Sequence, residues 1–196
     1  MNTTSPLDRR AAVAALLHER GDLLVVSGLG GTTWDVAASG DDPRNFYLWG
    51  GMGGAVSVGL GLALAQPHHR VLVITGDGEM LMGIGSLATV AAQSPNNLCI
   101  AVIDNERYGE TGGQLTHTAS HTDLAAMARG AGLQHCETVY TLAAVEGLRA
   151  RLYDAPGPQL WVVKVASANA GMVLPPRDGV LIKHRFRTAV LQERTS

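Results

Sequence analysis

VLVITGDGEMLMGIGSLATVAAQSPNNLCIAVIDNERYGETGGQ spans residues 71–114, and the fold follows from how it is read. An apolar run, VLVIT (71–75), stops at Gly76-Asp77-Gly78. EMLMGIGSLATVAAQ (79–93) follows with helical spacing, which puts Met80, Ile84, Leu87 and Ala91 on one face. A second apolar run, NLCIAVID (97–104), ends in Asp104-Asn105. Short, continuous apolar runs of this kind are strands buried on both faces, as in parallel sheets. A strand–helix–strand unit brings both polar tips to the carboxyl end of the strands, where open α/β sheets bind ligands. An acid and an amide there make an oxygen-donor metal site, and the helix start beside them suits a phosphorylated cofactor.

The rest of the chain repeats the alternation. Ser5 and Pro6 read as the N-cap and first position of a helix over LDRRAAVAALLHER, which Gly21 stops. DLLVVS (22–27) is a strand. GLGGTTWDVAASGDDPRN is a Gly-rich loop with room for a short helix, and FYLW (46–49) is a brief strand. GGMGGAVSVGLGLALAQ is a Gly/Ala helix whose thin side chains permit close packing. NERYGETGGQLTHTASH is a long polar loop, and loops of that length in compact domains usually carry function. Thr122 caps a helix over TDLAAMARGAG, HCETV is a strand, and Thr141 caps a helix over TLAAVEGLRARLYD. QLWVVKVA is a strand, and VLIKHRFRTAVLQER is a closing amphipathic helix. The fold class expected is α/β, a three-layer αβα arrangement with a mainly parallel sheet, and residues 1–196 read as a single domain.

Composition narrows the function. The formal charge is −2 with no basic stripe, which argues against nucleic acid. No apolar run is long enough to span a bilayer, so no membrane partner is expected. Cys99 opens a buried strand as a small core hydrophobe. With Cys136 the only other cysteine and no signal-peptide core at the N-terminus, a reducing cytoplasm is expected.

Gly76-Asp77-Gly78 alone is most often a plain strand-to-helix turn. A polar strand end about thirty residues later changes that reading. Together the two segments resemble the signature of thiamine diphosphate (ThDP) enzymes, in particular their diphosphate-binding (PP) domain. GETGGQLTHT and PPRDGVLIKHRFRTAV resemble the phosphonopyruvate decarboxylases and the β subunits of sulfopyruvate decarboxylases. The resemblance implies that Asp77, Asn105 and the Arg107 carbonyl ligate Mg²⁺. It implies that Gly76, Gly78, Glu79, Tyr108 and Gly109 border the diphosphate, with Gly76 and Gly78 giving a sharp turn. LWGGMGG (48–54) resembles the segment that grips the cofactor's rings. There Met52 supports the bend between the rings and the Gly50 carbonyl holds the 4′-amino group. Ser27-Gly28-Leu29-Gly30-Gly31-Thr32 lacks the spacing of a dinucleotide fingerprint. By the resemblance its Leu29 and Gly30 offer backbone contacts to the diphosphate.

Several residues fit less directly. Glu79 stands where the family often has a small residue, and it is expected to turn away from the diphosphate or to complement the helix start. His117 and His121 lack a third ligand for zinc. The resemblance makes His117 a candidate catalytic residue, as a proton donor or substrate-anion contact. Glu110, Thr111 and Gln114 are candidates for the substrate mouth. Arg177 in PPRDG reads as a solvated loop charge, with a carboxylate or sulfonate ligand as the alternative, and Lys183, Arg185 and Arg187 read as a solvated helix face.

ThDP chemistry also needs a carboxylate beside the aminopyrimidine, which the family supplies from a pyrimidine-binding (PYR) domain. No stretch here resembles one. The resemblance therefore implies the β half of a split decarboxylase acting on a 2-oxoacid. A PYR-domain α subunit would complete it, in an α2β2 assembly or a multiple of it. The alternatives are the small half of an acetolactate-synthase-like carboligase, a non-catalytic ThDP-binding subunit, and a nucleotide-binding domain.

Overall fold

A computed structural model describes residues 6–168 and 170–192. Its elements in chain order are α1 (Arg9–Leu17), β1 (Leu24–Ser27), α2 (Gly31–Ala38), β2 (Asn45–Tyr47), α3 (Ala55–Ala65) and β3 (Val71–Gly76). Next come α4 (Asp77–Met82), α5 (Ser86–Gln93), β4 (Leu98–Asp104), β5 (Arg107–Tyr108), β6 (Gln114–Leu115) and a 3₁₀ turn (His117–Ala119). The remainder is α6 (Leu124–Gly130), β7 (His135–Val139), α7 (Leu142–Asp154), β8 (Gln159–Lys164) and α8 (Gly179–Gln192).

Six strands form one sheet in the order β2-β1-β3-β4-β8-β7, and every pairing is parallel. Both faces are covered, which is why β3 and β4 are buried along nearly their whole length. One apolar layer joins α1, α2 and α7 to Val25, Leu72, Ile74, Cys99, Ala101 and Trp161. The other joins α3, α5, α6 and α8 to Leu24, Val26, Val71, Val73, Ile100 and Val162. This is the expected three-layer α/β arrangement. The chain steps outward from β1 to β2 and then returns to the far side of β1 as β3. The strand order reverses between β1 and β3, so the loops that leave them diverge and open a crevice at the carboxyl end.

The structure corrects four local expectations. The first helix starts at Arg9 and is capped by Asp8, whose carboxylate accepts from the Ala11 N–H; the expected cap, Ser5, lies outside the described residues. Asp123, not Thr122, caps α6 through the Ala126 N–H, because only the later residue sits three positions before that donor. The polar loop holds a two-stranded antiparallel pair, β5 with β6, followed by the 3₁₀ turn.

The fourth correction concerns the 79–93 helix, which is two helices broken at Gly83-Ile84-Gly85. A Cβ on Gly83 would stand 2.0 Å from the Gly53 carbonyl oxygen. The chain thus stops coiling where the end of α4 meets the 50–54 segment backbone to backbone. Periodicity cannot reveal such a contact, because it comes from a segment thirty residues away. Gly83→Ala is expected to destabilise the chain by about 1–3 kcal/mol through overpacking. Gly61→Ala, at an α3 position whose Cβ meets nothing within 4 Å, is expected to stabilise it by up to about 1 kcal/mol. Urea unfolding of the two variants checks the opposite signs.

Candidate active site

The crevice at the strand reversal is an open cleft of about 740 Å³, its mouth included. Three strand ends supply its walls: the loop after β1 (Leu29, Gly30, Gly31, Thr32), the tip of β3 (Gly76, Asp77, Gly78, Glu79) and the chain beyond β4 (Asn105, Arg107, Tyr108, Gly109). Met52 completes it from the 50–54 segment. Of the residues that the sequence nominated around the cofactor, only Gly50 falls outside this lining. Glu110 and Thr111, nominated for the substrate mouth, also line it, whereas Gln114 does not.

Asp77 opens α4 and is 1% exposed. Burial pushes its carboxyl above the ordinary carboxylate range. The Thr116 hydroxyl opposes that rise, the charge of Asp104 adds to it, and the Thr118 hydroxyl opposes it again. Both hydroxyls bond the same oxygen, Oδ2, Thr118 at 3.0 Å. Asn105 lies at the next strand tip, its amide held by the Arg107 N–H at 3.1 Å from Oδ1. Between them Glu106 takes a left-handed backbone, φ 61°, which turns the chain sharply out of β4. The side-chain donors here are a carboxylate and an amide oxygen, hard oxygen ligands of the type Mg²⁺ takes.

The glycines have different jobs from those expected. Neither Gly76 nor Gly78 has a positive φ. Gly78 is needed because the Tyr108 ring lies over it, 2.3 Å from where a Cβ would stand. By contrast Gly50, Gly51 and Gly53 all have positive φ, at 87°, 66° and 92°. That backbone is closed to most side chains, and it presents Met52 partly exposed in the cleft, outside either core layer.

Glu79 is buried and points across the cleft floor. Its Oε2 accepts from the Leu29 N–H at 3.1 Å, and a Cβ on Gly28 would collide with the same oxygen. Burial raises its pKa, opposed by the Thr75 hydroxyl and the N–H groups of Leu29, Ala55 and Gly53. Through Oε2 the carboxylate ties the start of α4 to the loop after β1, and it takes up the Leu29 N–H expected to face the diphosphate, while Oε1 is buried with no hydrogen bond among the described residues.

His117 is not brought into the cleft lining. It is exposed, while Thr116 and Thr118 on either side are buried and bond Asp77. Arg177 is an exposed loop charge, as expected, and its guanidinium lies 5.5 Å over the Trp49 ring. Arg185 pairs with Asp41 at 2.6 Å.

Five lining residues escaped the sequence reading: Arg9, Gly31, Thr32, Trp34 and Ile103. Arg9 carried a usable signal. It falls in register with Ala12, Val13 and Leu16 on the buried face of α1, and a cation in an apolar stripe has to have a partner inside. That partner is Asp35, fully buried and also bonded by Arg10. The Arg9 guanidinium lies against Gly31, where a Cβ would stand 2.5 Å from it.

An acid and an amide at adjacent parallel strand tips, facing a glycine-flanked methionine across a cleft, also mark a known family. The thiamine pyrophosphate enzyme C-terminal TPP binding domain matches residues 30–163. The chain belongs to the thiamine pyrophosphate enzymes. It is 38% identical over 180 residues to the sulfopyruvate decarboxylase subunit beta of Methanothermobacter thermautotrophicus, covering 92% of this chain and 94% of that one. It is 40% identical over 193 residues to the phosphonopyruvate decarboxylase of Streptomyces hygroscopicus, covering 94% of this chain and 47% of that one. The benzoylformate decarboxylase of Polynucleobacter necessarius superposes with a TM-score of 0.70 over 88% of this chain and 35% of its own. At 17% identity that likeness shows the shared fold alone. Among the described residues no helix is long and apolar enough to cross a membrane.

Two buried carboxylates with raised pKa values have a thermodynamic consequence. The folded, ligand-free chain holds these protons more tightly than the unfolded chain does. Its stability therefore falls as pH rises from about 4, the ordinary carboxylate pKa, toward neutrality. Asp77→Asn is expected to raise the melting temperature of the ligand-free chain at pH 7–8, by about 2–4 °C for each kcal/mol recovered. The gain should shrink as the pH is lowered. Thermal melts across pH check both the sign and the trend.

Proposed function

We propose that this chain is the β subunit of a split ThDP-dependent decarboxylase, which converts a sulfopyruvate- or phosphonopyruvate-like 2-oxoacid into an aldehyde and CO₂. The observation that carries the reading is the meeting of Asp77, Asn105 and Met52 in one cleft at the strand reversal. The hard oxygen donors there fit Mg²⁺, with Asp77, Asn105 and the Arg107 carbonyl as its protein ligands. When bound, ThDP supplies the nucleophilic carbon and the electron sink that decarboxylation of a 2-oxoacid requires.

The chain's own residues then have separate tasks. Asp77 brings the charge that tethers a cation-bound diphosphate, and its burial keeps water from competing. Gly30, Gly76, Gly78, Tyr108 and Gly109 border the diphosphate. Met52, held up by left-handed glycines, supports the bend between the cofactor's rings, and the Gly50 carbonyl takes the 4′-amino group. Glu79 keeps the two walls in register through Leu29. His117 reaches the substrate only where a partner closes over its loop.

The naming of the relatives supports a split enzyme. The chain spans nearly all of a relative named as a β subunit and about half of a phosphonopyruvate decarboxylase. The missing half corresponds to a PYR-domain α subunit that brings the activating carboxylate, in an α2β2 assembly or a multiple of it. Exposed Met52 and Met82, on either side of Gly53, leave an apolar surface beside the site for that subunit.

In the enzyme reconstituted with its α subunit, Asp77→Ala and Asn105→Ala are expected to weaken ThDP binding more than the 10–100-fold typical of an outer-shell change. Turnover should be lost with it. Calorimetric titration with ThDP and Mg²⁺ measures the first and CO₂ release the second; retained binding and turnover would overturn the site. His117→Ala is expected to lower kcat while leaving ThDP affinity unchanged. Equal ThDP affinity and equal kcat would remove His117 from the mechanism.

A further inference from the structure

Thr116 and Thr118 are buried on a loop whose other residues are mostly exposed. The two side chains turn in together, 2.9 Å apart between hydroxyls, on either side of the outward His117. Each reaches Oδ2 of Asp77, at a separation of about forty residues in sequence. Thr118 also lies 2.8 Å from Oδ1 of Asp104. Asp104 is itself fixed from two other directions, by the Glu106 N–H at 3.1 Å and the Lys164 ammonium at 3.1 Å. Lys164 also pairs with Glu106.

A free aspartate rotates broadly about its last torsion, so its two oxygens exchange places easily. Two hydroxyls on one oxygen remove that freedom. They engage Oδ2 and leave Oδ1 as the oxygen for a cation. The proton count points the same way. Thr116 gives its single proton to Asp77. Thr118 has one proton and three oxygen neighbours: Thr116, Asp77 and Asp104. If both carboxylates are ionised, two hydroxyl protons serve four close oxygen pairs, and two of those pairs are left without a hydrogen between their members. A cation on Asp77 relieves that repulsion without any rearrangement of the loop.

From this geometry we propose that Thr116 and Thr118 are positioning residues of the cation site, which hold Asp77 by one oxygen and present the other to a hard divalent cation. Thr118 passes the anchorage on to Asp104 and Lys164 at the ends of β4 and β8. The inference rests on the Mg²⁺–ThDP reading above and adds to it two residues and their task. It also changes what the 106–121 loop is for: the threonines serve the cation, whichever way His117 is used.

Mn²⁺ serves as the probe, with the full chain reconstituted with its α subunit at saturating ThDP and free Mn²⁺ read from its electron paramagnetic resonance signal. Thr116→Val and Thr118→Val keep shape and remove the hydroxyl; Thr116→Ser and Thr118→Ser keep the hydroxyl. The valine variants are expected to weaken ThDP-dependent Mn²⁺ binding by about 10–100-fold, and the serine variants by no more than about threefold. Thermal melts without metal or ThDP identify which variants are folded. If Thr118→Val does not fold, Thr116→Val makes the comparison. Folded valine variants that bind Mn²⁺ like the parent chain would overturn the proposal and leave the threonines a purely structural role. Serine variants as weak as the valine ones would overturn it too, since the methyl group and not the hydroxyl would then matter. A parent chain with no ThDP-dependent Mn²⁺ uptake would overturn the cofactor reading itself, and this inference with it.

Discussion

An acidic side chain is held out of water at the tip of a central parallel strand, and several of the molecule's local arrangements answer to that one fact. Asp77 is 1% exposed, and an ionised carboxylate so placed is costly unless something compensates it. The chain compensates in part, with two threonine hydroxyls and the first turn of α4. It also sets a second carboxylate, Asp104, close enough to work against it. A fold selected for stability alone would place an amide or an apolar group there. The residual unfavourable energy makes sense as part of a site whose missing charge arrives with a ligand.

Two backbone devices make the cleft possible. The reversal of strand order between β1 and β3 opens the crevice. The Gly53–Gly83 contact then locks the methionine-bearing segment to the end of α4. Backbone packed on backbone leaves little room for adjustment, so the distance from Met52 to the β3 tip is fixed by covalent geometry more than by side-chain packing. Glu79 adds a polar contact between the start of α4 and the loop after β1, its Oε2 accepting from the Leu29 N–H.

Much of this was readable from the residues in order. Continuous apolar runs marked the strands, since a chain buried on both faces shows no alternation. Polar residues at two successive run ends marked the carboxyl edge, and their approximate spacing carried the family resemblance. The elements misread were those that depend on distant segments. The break in the 79–93 helix follows from Gly53 and the role of Gly78 from the Tyr108 ring. Arg9 entered the cleft because Asp35, twenty-six residues on, is buried beside it. In the long polar loop the family resemblance singles out His117, whereas nothing in the order of residues marks the threonines on either side of it.

By itself the order of residues determined the layer architecture, the identity of the two polar strand tips and the thiamine pyrophosphate family. Each depends on local periodicity or on side-chain chemistry at short spacing. Only the tertiary structure decided which oxygen of Asp77 is held, which residue of the 106–121 loop turns inward, and where the helix after β3 must break. Those outcomes depend on contacts between residues thirty or more positions apart, and excluded volume between such segments leaves no periodic trace in a linear chain.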